Sequence, residues 1–213
     1  MIKLKKFTFN LFAENTYVVW DDQTLDAAVI DPGTSDSEEE DELDRFIEDK
    51  KLLVKYLINT HCHIDHILGC RFVYKKYGVP YYIPEKDLPL LENAQLQAKE
   101  FNIDMTNPPK PDNYLTEDLD LKLGNSNLKF LFTPGHTPGE YCIYFETDKI
   151  CITGDVLFKE GIGRTDLWGG DYDELILSIK TKLFSLPNDV KIYPGHGEPS
   201  TIGHEKANNP FLN

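Results

Sequence analysis

The run HCHIDH from His61 to His66 carries the clearest chemistry in this sequence. Three imidazoles and one carboxylate, all side chains that bind metals, fall within six consecutive residues. Buried imidazoles and carboxylates need polar partners, and one cation can serve several of them at once. Neutral imidazole is also the commonest protein ligand for metals. The run therefore predicts a metal site rather than a polar loop that contains histidines by chance.

Further ligand-type side chains stand in three short glycine-containing motifs, each at the end of a predicted strand. The motifs are TPGHTPG around His136, TGD ending at Asp155 and YPGHG around His196. Glycine lets the backbone turn sharply and proline fixes the neighbouring torsion, so these side chains can be aimed in one direction. One such motif alone is typical of an ordinary turn. Together with the first run, they predict a shared site.

The hydrophobic pattern predicts the strands and helices that must position these motifs. Ser35 or Ser37 is expected to cap the first helix, and the proline-containing segment 105–113 is expected to be an ordered loop. Loops at strand ends would carry the site, in two packed sheets with helices outside. The predicted strands are 2–9, 17–20, 27–30, 52–58, 80–83, 119–123, 128–132, 141–145, 149–153 and 190–193. The predicted helices follow Ser37 and span 66–77 and 85–101, follow Gly170, and lie near the end of the chain.

Composition limits the partners of the chain. The formal net charge of −14 and the pI of about 4.8 disfavour binding to a nucleic-acid backbone, which needs a basic surface. We expect a small-molecule substrate, and neither a membrane span nor a signal peptide is predicted. The four cysteines form no CxxC pair, which indicates reduced thiols and a cytoplasmic protein. The oligomeric state is not indicated by the sequence.

On these motifs the chain resembles the metallo-β-lactamase superfamily, and within it the glyoxalase II-like, or hydroxyacylglutathione hydrolase-like, metallohydrolases. The resemblance also rests on the segments Asn15-Thr16-Tyr17 and Ile30-Asp31-Pro32-Gly33, and it extends over nearly the whole chain. It implies an α+β fold, the αββα four-layer sandwich, with a dinuclear site at one edge of the paired sheets. We expect a single domain over residues 1–213.

The resemblance also implies the metal ligands, which form two triads and one bridge: His61, His63 and His136 for the first metal, Asp65, His66 and His196 for the second, and Asp155 between them. Seven nitrogen and oxygen ligands are too many for one tetrahedral zinc ion but suit two metals with open positions for water. We expect two divalent ions, with zinc first and iron or manganese as alternatives. Asp65 and Asp155 are expected to be catalytic as well as ligating. Asp31 is either a carboxylate that orients the ligand loop or an ordinary turn residue.

Two cations of this kind suit hydrolysis. A bridging water would lose its proton near neutral pH and become a hydroxide nucleophile, while a metal polarises the substrate carbonyl. A thiolate is a stable leaving anion, so the resemblance implies hydrolysis of a thioester such as a hydroxyacylglutathione-like substrate. No serine or cysteine nucleophile is required.

The substrate-contact positions leave the thiol carrier open. Glutathione-specific members carry tyrosines where this chain has Asp166 and Pro199. Arg164 matches a basic residue of those enzymes, so it is a candidate anion contact, although it could instead pair with Asp166. His204 and Lys206, on the short final helix, are further candidates for substrate binding.

Two alternative functions remain open within the same resemblance. The segment GIGRTD from Gly161 also resembles part of the persulfide dioxygenases, which use one iron ion held by two histidines and an aspartate. Those ligands would be His61, His136 and Asp155 here. A lactonase or another ester hydrolase would differ from a thioesterase only in pocket residues. The complete set of seven ligands favours a hydrolase, and the acidic composition disfavours a nuclease.

Overall fold

A computed structural model describes residues 1–212, which form two structural units. The first unit comprises Met1–Tyr114 with Lys122–Ser126. The second comprises Leu115–Leu121 and the chain from Asn127 onward. Asn213, the last residue of the predicted single domain, lies outside the described residues, and the one-domain expectation stays a prediction.

The first unit is built on a six-stranded mixed sheet. Its strands are β1 (Ile2–Phe9), β2 (Glu14–Asp21), β3 (Asp26–Ile30), β4 (Leu53–Ile58), β5 (Tyr81–Pro84) and β6 (Asn113–Leu115), in the order β1-β2-β3-β4-β5-β6. The first three form an antiparallel meander, whereas β3, β4 and β5 run parallel. The carboxyl ends of parallel strands meet at one edge of a sheet, so the residues after β3 and β4 lie side by side.

The helices of the first unit pack against alternate residues of that sheet. They are α1 (Ser37–Asp49), α2 (Ile64–Ile67), α3 (Cys70–Tyr77), α4 (Leu88–Glu92) and α5 (Ala94–Glu100). Leu43 and Ile47 of α1 share one apolar cluster with Val29 of β3 and Leu57 of β4, and all four are buried. The spacing of four residues between Leu43 and Ile47 puts both side chains on one apolar face of the helix.

Three details of the predicted helices were wrong. The cap of α1 is Asp36, not Ser35 or Ser37, because its carboxylate accepts hydrogen bonds from the amides of Glu38 and Glu39. The predicted helix 66–77 is interrupted before Cys70, because the amide of Gly69 donates to the carbonyl of Pro32. The predicted helix 85–101 is a 3₁₀ turn followed by α4 and α5.

The second sheet carries most of the second unit. Its strands are β7 (Leu121–Leu123), β8 (Ser126–Phe132), β9 (Tyr141–Phe145), β10 (Ile150–Gly154), β13 (Lys191–Pro194) and β14 (Ser200–Thr201), in the order β14-β13-β10-β9-β8-β7. A separate two-stranded hairpin joins β11 (Leu157–Phe158) to β12 (Gly161–Ile162). Because β10 and β13 run parallel, the residues that follow them meet at one edge.

The helices of the second unit are α6 (Tyr172–Ser178), which continues as a π-helical turn over Ile179–Leu183, and α7 (Ile202–Asn208). Leu175, Ile179 and Leu183, spaced four residues apart on one face, are buried in one cluster with Ile192 of β13. None of the helices between residues 1 and 212 combines the length and apolarity that a membrane crossing needs.

Candidate metal centre

A first group of predicted ligands lies in the first unit, in the loop between β4 and α2 and at the start of α2, which hold the run from His61 to His66. His61 and His66 are fully buried, and His63 and Asp65 are each only 9% exposed. The His61 ring centroid lies 4.1 Å from that of His66 and 4.9 Å from that of His63. The structure therefore brings together the predicted ligand side chains of the first motif.

Cys62, between two of these histidines, belongs to the protein core. Its side chain lies in the apolar cluster of the first unit and is fully buried. Burial, which penalises the thiolate, raises the pKa of the Cys62 thiol well above its usual range. Cys62 therefore serves packing rather than the metal site.

Asp31 fixes the start of the ligand loop. Its carboxylate accepts hydrogen bonds from the Thr60 amide at 2.7 Å, from Thr60 Oγ1 at 2.6 Å and from Asn59 Nδ2 at 3.2 Å. Asp31 also has φ of +49°, a left-handed conformation that is uncommon outside glycine. Strained backbone of this kind collects at functional sites. Of the two interpretations that the sequence left open, the structure favours the carboxylate that orients the loop.

The hydrogen bonds of Thr60 also set the tautomer of His61. Thr60 Oγ1 donates its only proton to Asp31 Oδ2, so it can only accept from His61 Nδ1, which lies 3.2 Å away. His61 then carries its proton on Nδ1. The lone pair is left on Nε2, the atom that a metal would use.

His66 is oriented by two buried carboxyl groups. Its Nδ1 lies 3.3 Å from Asp31 Oδ2 and 3.8 Å from Glu14 Oε1. Its Nε2 lies on the other side of the ring, 3.6 Å from Asp65 Oδ2. Burial raises the pKa of Glu14 well above its usual range, whereas the charge of His66 lowers it. A proton on Nδ1 is stabilised between the two carboxyl groups, which leaves the Nε2 lone pair beside Asp65.

A second group of predicted ligands follows β8, β10 and β13 in the second unit. Asp155 Oδ2 lies 3.5 Å from His136 Nε2 and 3.6 Å from His196 Nε2. The Asp155 amide donates to Glu140 Oε1 at 2.7 Å, and Glu140 is fully buried. The Phe158 ring packs edge-on against His196 with centroids 6.2 Å apart. This unit thus brings together its three predicted ligands.

These spacings and tautomers suit divalent-metal ligation by the side chains within each unit. Two ligand atoms about 2.1 Å from a tetrahedral ion lie roughly 3.4 Å from each other. The three nitrogen-to-carboxylate distances of 3.5, 3.6 and 3.6 Å are close to that value and too long for good hydrogen bonds. In the first unit, Asp31, His61 and His66 also place ligand atoms within 4.8 Å of one another.

The GIGRTD segment supports His136 through its backbone. The Arg164 carbonyl lies 2.7 Å from His136 Nδ1, and a carbonyl can only accept, so His136 also carries its proton on Nδ1. Gly163 approaches so closely that an added Cβ would overlap the Asp155 carbonyl and lie 3.1 Å from the His136 Cβ. Only glycine permits this approach.

The Arg164 side chain makes a different contact. Its Nε and Nη2 donate to the two carboxylate oxygens of Asp166, each at 2.7 Å, and both side chains are well exposed. The hydrogen bonds from Arg164 lower the pKa of Asp166 to about 2. The pairing that the sequence left open is therefore present. A substrate contact by Arg164 stays a prediction.

The other two predicted substrate residues lie on α7 and contact neighbours in the second unit. His204 Nε2 lies 2.9 Å from Glu160 Oε1. Lys206 Nζ donates to Asn188 Oδ1 at 2.9 Å and lies 5.8 Å from the Phe184 ring centroid. Their roles in substrate binding stay predictions.

No sequence motif of their own identifies the residues that hold the predicted ligands in place without being ligands themselves. They are Asn10, Glu14, Thr16, Thr60 and Glu140. Their side chains contact backbone atoms or histidine rings of other residues, through hydrogen bonds or electrostatic attraction. Most of those residues are distant in the sequence. The nearest clue is that Thr16 and Thr60 stand in or beside segments on which the resemblance rests.

Comparisons with known proteins agree with this geometry. The family model described as the metallo-beta-lactamase superfamily matches residues 10–196. A protein of Haemophilus influenzae described as hydroxyacylglutathione hydrolase GloC is 42% identical over 204 residues, which cover 95% of this chain and 94% of that protein.

Two solved structures extend the likeness to the fold. The crystal structure of BLEG-1 B3 metallo-beta-lactamase has a TM-score of 0.91 and 31% identity, covering 99% of this chain and all of that one. The crystal structure of TTHA1623 in a di-iron-bound form has a TM-score of 0.87 and 33% identity, covering 98% of this chain and all of that one. The predicted fold class, the α+β metallo-β-lactamase fold, is confirmed. The chain belongs to the metallo-β-lactamase superfamily.

Proposed function

We propose that this metallo-β-lactamase superfamily hydrolase cleaves a small thioester, of the hydroxyacylglutathione type, with the help of two divalent metal ions. The observation that carries the proposal is the 42% identity with the Haemophilus influenzae hydroxyacylglutathione hydrolase over 95% of the chain. The acidic composition, with a net charge of −14, also favours a small-molecule substrate over a nucleic acid.

The proposed ligands are those that the resemblance implies, two triads and a bridging residue: His61, His63 and His136, then Asp65, His66 and His196, with Asp155 shared. Contacts within each unit support this proposal: the hydrogen bonds of His61 and His136, and the Asp31 carboxylate 3.3 Å from His66 Nδ1, favour a proton on Nδ1 and leave Nε2 as the lone-pair atom. Zinc is the metal we expect first. A relative solved in a di-iron-bound form keeps iron as the alternative.

When bound, two such ions would supply a water of lowered pKa and a positive charge beside the substrate carbonyl. The protein's own residues hold the ligands still before reaction. Asp31 and the Arg164 carbonyl fix the ring orientation of their histidines, and Glu140 fixes the backbone of Asp155. Preorganisation of this kind lowers the reorganisation needed in the transition state.

The leaving group of a thioester suits the proposed site. A thiolate departs as a stable anion and needs no general acid, so no acidic side chain has to protonate it. Asp65 and Asp155 can then serve the metals while also orienting the attacking water, which is the catalytic role that we propose for them. The thiol carrier is left open, because Asp166 and Pro199 replace the tyrosines of the glutathione-specific pattern.

A small molecule as the partner and a cytoplasmic location remain predictions of the sequence. All four cysteines are free thiols in the described part of the chain, and all four are buried. Buried thiols with raised pKa values, such as those of Cys62 and Cys142, resist oxidation and suit a packing role.

The test begins with metal content per chain, by elemental analysis of protein purified without chelators or a metal-binding tag. We expect about two metal ions per chain. The same preparation is then assayed with hydroxyacyl thioesters of several thiols, with lactones, and with persulfides in an oxygen electrode. Thioester turnover supports the proposal. One iron ion with oxygen consumption on persulfides would replace it with the dioxygenase alternative.

The variant His63→Ala tests the ligand assignment. It should abolish thioester turnover and lower the metal content while leaving a folded protein, because the loop stands at the edge of a core that does not depend on it. His204→Ala is the matched control for metal content, since it removes a partly exposed histidine that pairs with Glu160 and is not a proposed ligand. Full activity and full metal content in His63→Ala would contradict the assignment.

A further inference from the structure

The short final helix α7 carries a fully buried carboxyl group, that of Glu205, between the two residues predicted to contact substrate. Its Oε2 accepts hydrogen bonds from the Glu160 amide at 2.8 Å and from Asn209 Nδ2 at 2.9 Å. Its Oε1 is hydrogen-bonded to Ser200 Oγ. A carboxyl group is stable in a protein interior only when it has partners of this kind. The four residues belong to the second unit, and their hydrogen bonds hold Glu205 in one orientation.

One of these bonds joins α7 to the turn of the β11–β12 hairpin. Glu160 lies in that turn with φ of +55°, a left-handed conformation that is uncommon outside glycine. Asn209, which is also fully buried, donates from Nδ2 to the Gly161 carbonyl at 3.0 Å. The Glu160 side chain contacts His204 as well, but both of those side chains are partly exposed, where such pairs contribute little. The buried bonds of Glu205 and Asn209 therefore fix the turn.

The hairpin and the residues that follow it contact all three predicted ligands of the second unit. The Phe158 ring packs edge-on against His196, with centroids 6.2 Å apart. Gly163, directly after β12, approaches the Asp155 carbonyl so closely that a Cβ would overlap it. The next residue supplies the carbonyl that lies 2.7 Å from His136 Nδ1. A displaced hairpin would therefore disturb groups that touch each of these ligands.

We infer that Glu205 is a positioning residue for the metal ligands of the second unit, because it fixes the β11–β12 hairpin that orients His136 and His196. The inference rests on the proposed function only in that these side chains bind metal. It gives α7 a role that is separate from substrate contact. Glu205 acts through the hairpin, so its loss should weaken metal binding without abolishing it.

The test is a Zn²⁺ titration of the metal-depleted full chain, in which a competing chromophoric chelator reports each dissociation constant. Glu205→Met keeps the length of the side chain but cannot accept the Glu160 amide, so each constant should rise about 10-fold. Glu205→Gln keeps an oxygen for that amide and a nitrogen that can donate to Ser200, so its constants should stay within about 3-fold of the wild type. Glu146→Met, the same change at an exposed position after β9, is the control and should leave the constants unchanged.

A spectrum and a second control separate positioning from a general loss of stability. Co²⁺ is bound in place of Zn²⁺, and its visible absorption reports the geometry of the ligands. The spectrum should change in Glu205→Met and return to the wild-type form in Glu205→Gln. Leu183→Ala removes buried apolar contacts of the same unit without removing a hydrogen bond to the hairpin. It should lower the metal-free melting temperature while leaving the Zn²⁺ constants and the Co²⁺ spectrum unchanged.

Unchanged constants with an unchanged spectrum in Glu205→Met would overturn the inference, as would the same changes in Leu183→Ala. If Glu205→Met does not fold, Asn209→Ala decides the question, because it removes the bond to Gly161 and keeps the bond between Glu205 and Glu160. Its constants should rise about 3- to 5-fold, and wild-type constants would again overturn the inference.

The wild-type titration tests the proposed function independently. A wild type that binds one Zn²⁺ ion would contradict the two-metal function, whereas the inference would still be decided by the ratio of that single constant in Glu205→Met to its wild-type value. A wild type that binds no Zn²⁺ would overturn both.

Discussion

Arg164 contributes to the site through two separate parts of one residue. Its backbone carbonyl sets the His136 tautomer, whereas its guanidinium pairs with Asp166 at the surface. A substitution of the side chain leaves the carbonyl in place. Changes at Arg164 therefore separate metal binding from substrate binding.

We predict that Arg164→Ala raises the KM for an anionic thioester about two- to five-fold, with kcat and metal content unchanged. Asp166→Asn should have the opposite effect on KM, because it releases the guanidinium from its bidentate partner. Steady-state kinetics with an anionic and a neutral thioester would measure both effects. The same KM in both variants as in the wild type would remove Arg164 from the substrate pocket.

For individual residues, the sequence predicts the metal ligands better than the residues that hold those ligands in place. His61, His63, Asp65 and His66 stand out because their types and spacing are rare in a loop that binds nothing. Glu14 and Glu140 do not stand out, because their roles depend on which strands pair and which side chains end up buried. The residues next to a single glutamate in the sequence do not indicate which strands will pair around it or whether it will be buried.

The supporting elements place the ligands through parallel strand pairs. β3 and β4 bring Asp31 beside Thr60, and β10 and β13 bring Asp155 toward His196. Hydrophobic periodicity predicts each of these strands with bounds within a few residues. It does not predict which strands pair, because pairing is decided by contacts between segments that are distant in the chain.

Helix ends were less predictable than strands. Aspartate and serine are nearly equal as helix caps, so the sequence could not separate the predicted caps Ser35 and Ser37 from Asp36, which the structure uses. The break before Cys70 depends on a hydrogen bond from Gly69 to Pro32. No local pattern contains that contact.

The turn after β8 packs closely against the start of α6. Gly135 has φ of +129°, and a Cβ there would lie 2.6 Å from the Leu175 Cβ and closer still to the Leu175 amide nitrogen, at the start of α6. Ser178 also donates to the Pro134 carbonyl at 2.7 Å, which fixes the turn to that helix.

We predict that Gly135→Ala destabilises the folded protein by about 2–4 kcal/mol, from backbone strain and overlap with α6. Metal content should fall as well, because His136 follows directly. Urea unfolding of the metal-free protein measures the first effect and elemental analysis the second. Gly197→Ala is the control for strain alone, since φ there is +75° and a Cβ meets open space. Equal stability of the two variants would show that α6 does not restrict the turn.

Over the whole molecule, ligand-type residues are divided between the two units. Four of them lie in the loop of the first unit, and three lie at strand ends of the second. In the sequence the motifs fall on both sides of the proline-containing loop, although the sequence analysis expects one domain rather than two units. The acyl group and thiol carrier are not predictable in the same way, since they depend on pocket residues that follow no motif.

Because folding creates the ligand geometry, metal binding should stabilise the whole chain. Each ion that binds only the folded state adds about 2.7 kcal/mol when its free concentration is 100 times its dissociation constant. For a chain of this size, 1 kcal/mol shifts the melting temperature by about 2–4 °C. Removal of two metals with a chelator should therefore lower the melting temperature by roughly 10–20 °C.

Calorimetry of the chelated and Zn²⁺-reloaded protein measures this shift. Reloading should restore the original melting temperature, and activity should return in parallel, because the same ligands serve both. A melting temperature that does not respond to chelation would mean that the metals contribute to chemistry without contributing to the fold.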